Sequence, residues 1–277
     1  MAARQKARAE AHHAEGSELE VERRGAVLVL TLARPERRNS LSEAMLAALQ
    51  AAIDGAGEDA GVRAIVLAAK GPAFSAGHDL KELTARRKDP DRGLAYYRAI
   101  FAQCSHLMQT IVRHPRPVIA QVQGVATAAG CQLVATCDLA IASSEARFAT
   151  PGVNIGLFCS TPMVALSRVV PRKAALEMLF TGEAIDAAEA RRIGLVNRVV
   201  APADLEGETD TLARFIASKP AATLKLGKLA FQHQLELGVS SAYDYVGEVM
   251  VQNMLHEEAQ EGIGAFLDKR SPKWPEK

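Results

Sequence analysis

The sequence of 277 residues predicts an α/β fold built as a repeated strand–strand–helix (ββα) spiral, followed by a C-terminal region that is almost wholly helical. Three observations carry this expectation. Short strand-like apolar runs alternate with segments of helical period, and the cadence repeats along the first two thirds of the chain. Gly and Pro are scattered between the runs instead of gathered into a linker, and beyond Pro171 strand signals become scarce.

Residues 19–33 (LEVERRGAVLVLTLA) alternate and then turn continuously apolar, with a break at 23–25, so two strands joined as a hairpin are expected. Met45, Leu46, Leu49 and Ile53 recur at helical spacing over 42–58, with Ser42 placed to cap that helix. A strand at 62–69 follows. The cadence returns with a helix at 94–113, a buried strand at 117–121, a small-residue helix at 128–136 and a strand at 139–142. Helices are expected at 172–180, 186–193, 203–218, 221–237 and 241–267. Asp186, with Glu189 three residues on, reads as a capping box and not as a catalytic pair. The expected divisions are a frayed tail (1–18), the spiral core (19–200) and the helical region (201–277), which packs on the core or on a neighbouring subunit.

A hydrophobic content of 48% supports a large core. With 33 Lys and Arg against 32 Asp and Glu, the net charge of +1 gives no field to gather nucleic acid or an anionic membrane, so neither is an expected partner. Cys104, Cys131, Cys137 and Cys159 have neither metal-ligand spacing nor the density of a secreted disulfide scaffold; reduced thiols and a cytoplasmic location are expected. No apolar run approaches the ~20 residues of a membrane span. Arg4, Lys6 and Arg8 imitate a transit peptide weakly, but Glu10, Glu15 and Glu18 argue against one.

Two segments carry the chemistry: FSAGHDLK at 74–81 and GVATAAGCQ at 124–132. When a thioester reacts, its carbonyl becomes an enolate or a tetrahedral oxyanion, and two converging backbone N–H groups stabilise that charge without ionising. Gly71, Pro72 and Gly77 suit a loop that bares an N–H after a buried strand. Gly124 lets the second segment bend, and Ala128, Ala129 and Gly130 open a helix whose first N–H groups lack intrahelical partners. His78 reads as a loop residue and His106 as an ordinary helical histidine, while Asp79 is placed to cap the next short helix. Cys131, although near a helix start, reads as a packed, inert thiol.

These segments sit among further motifs: RPERRNSLS at 34–42, GPAFSAGHDLKEL at 71–83, GVATAAGCQLVATCDLAIAS at 124–143, FATPGVNIGLFCSTP at 148–162 and LFTGEAIDAAEARRIGLVNRVV at 179–200. In this order they resemble the crotonase (enoyl-CoA hydratase/isomerase) superfamily, from about residue 19 to residue 274. The resemblance implies a crotonase-type spiral with a C-terminal trimerisation region, assembled as a homotrimer or a dimer of trimers. It implies an acyl-CoA thioester as ligand, with no permanently bound cofactor and no metal. The oxyanion hole would be the backbone N–H groups of His78 and Ala129. Arg38 and Ser40, together with Ala76, His78, Asp79, Leu80 and Lys81, would hold the adenine and pantetheine parts, with Gly124 beside them and Arg34 and Arg37 near the phosphates. Phe266 and Lys269 match positions that in relatives meet the nucleotide of an adjacent subunit.

The departure is equally specific. Hydratases of this family use two glutamates, where this chain has Gln132 and Gly152. An amide accepts no proton at neutral pH and glycine offers no side chain, so the acid/base pair is missing. Neither Ser160 nor His106, the latter beside Ser105, is expected to replace it. The expected function is an enoyl-CoA hydratase-like acyl-CoA binder with an oxyanion hole and poor hydration. The rivals are a noncatalytic acyl-CoA sensor and a true hydratase (lyase) with relocated acid/base groups. Restoring both carboxylates, with Gln132→Glu and Gly152→Glu, is expected to raise hydration.

Overall fold

The computed structural model describes residues 17–274. The tail expected over 1–18 therefore lies outside the described residues, apart from Ser17 and Glu18. The described chain opens with the hairpin β1 (Leu19–Arg24) and β2 (Val27–Leu32), followed by α1 (Glu43–Glu58). Three turns of spiral come next. The first is β3 (Ala64–Ala69), β4 (Ala73–Ser75), α2 (Leu80–Ala85) and α3 (Leu94–Arg113); the second is β5 (Val118–Val122), β6 (Val125–Thr127) and α4 (Ala129–Thr136). The third is β7 (Leu139–Ser143), β8 (Arg147–Ala149), α5 (Ser160–Val169) and α6 (Arg172–Thr181). Then follow β9 (Ile185–Asp186), α7 (Ala187–Arg192), β10 (Arg198–Val200), α8 (Leu205–Ala217), α9 (Ala221–Gln234), α10 (Val239–Leu255) and α11 (Glu257–Leu267).

The first strand of each turn joins a six-stranded sheet in the order β1-β2-β3-β5-β7-β10, and the second joins a four-stranded sheet in the order β4-β6-β8-β9. Two strands per turn, one in each sheet, make the structure a ββα spiral, as expected. The hairpin closes at Gly25, whose φ of 66° is the left-handed conformation that glycine adopts without strain. Pairing is antiparallel there and parallel from β2 through β10, the pattern of a sheet covered on both faces.

Alternation along β2 explains the two faces. Leu28, Leu30 and Leu32 enter the main core with Met45, Leu46, Leu49 and Ile53 of α1, while Val27 and Val29 meet Ala213 and Ala217 of α8 on the other side. The first helix after residue 200 therefore closes a layer of the core. Ser42 caps α1 as expected, its hydroxyl accepting from Met45 N at 3.1 Å. The single helix expected over 241–267 is two helices, because His256 takes an extended backbone (ψ 142°) and its ring accepts from Glu258 N to start α11. The apolar period runs through that break and hides it.

Candidate active site

The site is built where three parallel strands of the small sheet end. β4 pairs with β6 and β6 with β8, so the segments leaving them, at 76–79, 128–129 and 150–152, emerge side by side. Thr127 locks the first two together: its Oγ1 donates to Ala76 O at 3.2 Å. Gly77 has φ 87°, and a Cβ placed there would lie 2.9 Å from Ala128 Cβ and 3.0 Å from Ala129 N. Only glycine lets the strands' ends approach so closely. A Cβ at Gly130 would meet Ser75 O at 2.2 Å, and one at Gly124 would meet Pro72 O at 2.1 Å, so both glycines serve the close crossing of the two segments. Ala128 stands at φ 50°, ψ −119°, a region that costs about 1–3 kcal/mol for a residue with a side chain, and its N–H donates to Ala149 O at 2.9 Å. Among the described residues, no backbone carbonyl takes the N–H of either His78 or Ala129. Two free amides thus flank one strained, tightly held turn.

The loop at 34–40 is clamped onto this segment. Arg38 and Asn39 are both left-handed, with φ 51° and 49°. Buried Asn39 accepts from Arg34 N at 2.8 Å and donates to Lys70 O and Ala73 O, each at 2.8 Å. Ala76 N donates to Arg38 O at 3.0 Å, Leu41 N to Gly77 O at 2.8 Å, and Ser40 Oγ to Asp79 Oδ2 at 3.2 Å. Asp79 caps α2 as expected, accepting from Lys81 N and Glu82 N, and Arg37 stands 3.6 Å from its carboxylate. The structure therefore brings Arg38, Ser40, Ala76, His78 and Asp79 together, with exposed Leu80 and Lys81 opening the next helix. Arg34 is engaged by Glu18 and Glu36.

On the segments that meet here, four buried polar atoms have no partner in the protein: Nδ1 and Nε2 of His78, Oε1 of Gln132 and Oγ1 of Thr150. Gln132 is 4% exposed and Thr150 is 1% exposed. Most buried polar atoms are hydrogen-bonded, so unpaired ones on these adjoining segments stand out, although Gln50 Oε1, Arg116 Nε, Gln123 Oε1 and Asp210 Oδ1 are likewise unpaired. The His78 ring packs edge-on against Phe101 at 5.3 Å. Burial lowers its pKa below that of an ordinary histidine, and the Leu41 carbonyl, nearby but outside hydrogen-bond geometry, offsets only part of the shift. The imidazole is neutral at pH 7 and partly buried, a more specific setting than the loop role expected for it.

Gly152 lies in the Pro151–Ile155 3-10 turn, and a Cβ there would meet Leu157 O at 2.7 Å and Cys159 Sγ at 2.9 Å. The backbone leaves no room for a side chain, so the expected rescue by Gly152→Glu does not fit this geometry. Cys131 is the packed thiol expected, its pKa pushed up to about 12 by burial. His106 is exposed on α3, in keeping with an ordinary helical histidine; Ser160, also exposed, donates to Phe158 O. Phe266 and Lys269 are exposed at the end of α11, which packs on α9 and α10. Sequence reasoning missed Asn39, Thr127 and Thr150. The signal for Asn39 is the tolerance of asparagine for left-handed backbone, whereas the other two have no local signature.

The profile of the family described as enoyl-CoA hydratase/isomerase matches residues 22–277. Among curated proteins, the rat "Enoyl-CoA hydratase domain-containing protein 3, mitochondrial" is 51% identical over 245 residues, covering 88% of this chain and 80% of the relative. Among solved structures, an enoyl-CoA hydratase of Mycobacterium smegmatis superposes with a TM-score of 0.88 at 54% identity, over 93% of this chain and 98% of that one. Human enoyl Coenzyme A hydratase domain-containing protein 3 superposes with a TM-score of 0.89 at 49% identity, over 93% and 100%. The rat relative is named mitochondrial, which weighs against the cytoplasmic location expected from the cysteines. Among the described residues, no helix is long and apolar enough to cross a membrane.

Proposed function

The chain belongs to the enoyl-CoA hydratase/isomerase family, and from that premise we propose that it binds acyl-CoA thioesters and polarises their carbonyl with the amides of His78 and Ala129, without efficient hydration. One observation carries the reading: the approach of Gly77 to Ala129 N, with both neighbouring N–H groups left free by the backbone. Such a pair stabilises an oxyanion most strongly where water is excluded, and Ala129 lies at the positive end of α4. The clamped loop at 34–40 and the segment through Lys81 would receive the CoA moiety. The ligand site is completed by Phe266 and Lys269 of a neighbouring subunit in a homotrimer or dimer of trimers.

Hydration needs one group to activate water and another to deliver the proton. Gln132 cannot accept a proton, and Gly152 has no side chain, nor room for one. Each missing acid/base group removes about 100- to 10,000-fold from the rate. A calorimetric titration with butyryl-CoA should give saturable binding, and crotonyl-CoA should lose its enoyl absorbance at a rate negligible beside that of an authentic hydratase. Failure to bind acyl-CoA of any chain length would sink the reading.

Closure of the Gly152 position also favours a second reading, a noncatalytic acyl-CoA binder. Exchange of the α protons of butyryl-CoA in D2O separates the two: exchange above the buffer rate marks enolate chemistry, and its absence with binding intact marks a binder.

A further inference from the structure

The basic residues Arg4, Lys6 and Arg8 have no part in the site, and the fold offers a place for them. On the side of the large sheet that α8 covers, a groove of about 240 Å3 runs between β1 and the first turns of α8. Its floor includes Val29, Val66 and Ala68, and its walls carry the carboxylates of Glu20, Glu22, Glu206 and Asp210 against two cations, Arg24 and Lys70. Glu20, Glu22 and Arg24 share one face of β1 because side chains alternate along a strand. Both cations are already engaged. Arg24 donates to Glu22 and to Glu206, each at 2.7 Å, and Lys70 is held by Glu20, while Asp210 accepts from Arg214 of its own helix at 2.6 Å. Four carboxylates therefore share three cations. Arg24 holds Glu22 below the usual carboxylate range, and the charge of Asp210 works against it, as it must where carboxylates crowd. The side chain of Glu206 is 65% exposed, so this surplus negative charge faces solvent.

β1, one wall of the groove, is also where the N-terminal segment joins the fold. Glu18 O accepts from Ala33 N at 3.0 Å and the Glu18 carboxylate pairs with Arg34, which fixes the point of attachment next to Glu20. The segment 1–16 lies outside the described residues; its sequence places Arg4, Lys6 and Arg8 ahead of any acid, the first being Glu10. We propose that this basic stretch of the chain's own N-terminal segment docks in the groove, its cations meeting the carboxylates of Glu20, Glu22 and Glu206. Reach is ample: Arg8 precedes Ser17 by nine residues, which extend up to about 30 Å, whereas Glu20 to Arg24 covers only about 13 Å. Exposed ion pairs are individually weak. Tethering makes these intramolecular, at an effective concentration on the order of millimolar, and so favours the chain's own segment over a free basic peptide. No residue of the groove belongs to the candidate site, so the proposal stands apart from the acyl-thioester reading.

The test is cross-linking of the full chain with a water-soluble carbodiimide, which joins a lysine amine directly to a carboxylate it touches, read by peptide mass spectrometry. Lys70 and Glu20 are already paired and supply an internal reference for an intact fold. At about 20 mM salt Lys6 should join Glu20, Glu22 or Glu206, and its yield relative to the reference should fall about fivefold or more at about 0.5 M salt, where screening acts within a few ångströms. Arg4→Glu with Arg8→Glu retains Lys6 and should lower the yield by a similar factor, whereas Arg4→Lys with Arg8→Lys should preserve it. In a mixture of isotope-labelled and unlabelled protein, each link should join peptides of one isotope. Links between labelled and unlabelled peptides would put the segment on a second copy and overturn the proposal. So would the absence of any link from Lys6 to the groove, or an undiminished yield from the charge-reversed variant with the Lys70 to Glu20 link in place.

Discussion

Gly152 makes the clearest demand of any single residue at the site. A β carbon would stand 2.7 Å from Leu157 O, and a backbone oxygen does not yield as a flexible side chain would. Gly152→Ala should therefore cost about 1–3 kcal/mol in a urea titration, and Gly152→Glu more, by overpacking and displacement of the turn. Gln132→Glu alone should fold, yet give hydration far below an authentic hydratase, since one carboxylate supplies one half of the proton traffic. A robust gain in crotonyl-CoA hydration from that single change would show that the second group already exists elsewhere. His78 adds a pH signature. Its folded pKa, like that of His114, lies below 6.5, chiefly through burial. Between the folded value and 6.5 the unfolded chain binds more protons, so this share of stability is complete above pH 6.5 and is lost as pH falls through that window. His78→Phe keeps the backbone amide and should flatten the fall in melting temperature between pH 7.5 and pH 5; an unchanged slope would mean that the ring is not buried as described.

Among the elements, α9 is fastened to the core by one buried cation. Lys228 Nζ donates to Asp138 Oδ2 at 2.6 Å, to Ile111 O at 2.9 Å and to Arg116 O at 3.1 Å. Burial lowers the pKa of Lys228 and raises that of Asp138, but three acceptors around Nζ use all three ammonium protons and hold the pair ionised. Asp138 Oδ2 also accepts from Val118 N at 2.7 Å, so one carboxylate ties α9, β5 and the start of β7. Lys228→Met should cost about 3–5 kcal/mol because it strands a buried charge. Adding Asp138→Asn should recover part of that loss, and a double-mutant cycle in urea would test it; simple additivity would mean that the two groups are not coupled. None of this is legible locally, since Lys228 and Asp138 are 90 residues apart. The strands and helices around them were legible because their signal is periodicity, which tertiary contacts reinforce. The break at His256 was not, because the apolar period continues across it.

At the scale of the whole molecule, sequence and structure divide in the same physical way. The close approach of the segments at 74–81 and 124–132 could be expected from sequence because it needs glycines and small residues at fixed places, and the family resemblance pointed within them to the amides of His78 and Ala129. The clamps made by Asn39 and Thr127 could not, since their partners lie on other segments of the chain. The C-terminal helices have a consequence that neither scale below contains. Tyr243 (75% exposed), Leu255 (72%) and Phe266 (80%) stand bare along α10 and α11, with Phe231, Met250, Val251 and Leu267 also exposed. Exposed apolar side chains on neighbouring helices suit a surface that another chain covers, and burying each is worth about 1.5–3 kcal/mol. The purified chain should therefore sediment as a trimer or a dimer of trimers at micromolar concentration, and Leu255→Lys with Met250→Lys should shift it to smaller species. Because we propose that Phe266 and Lys269 meet a neighbour's nucleotide, the dissociated variant should also lose acyl-CoA affinity, and Phe266→Ala should weaken binding while leaving the assembly intact. A wild-type monomer that binds acyl-CoA as tightly as the assembled form would contradict both assignments, since it would leave the apolar helices and the two terminal residues with no part in ligand binding.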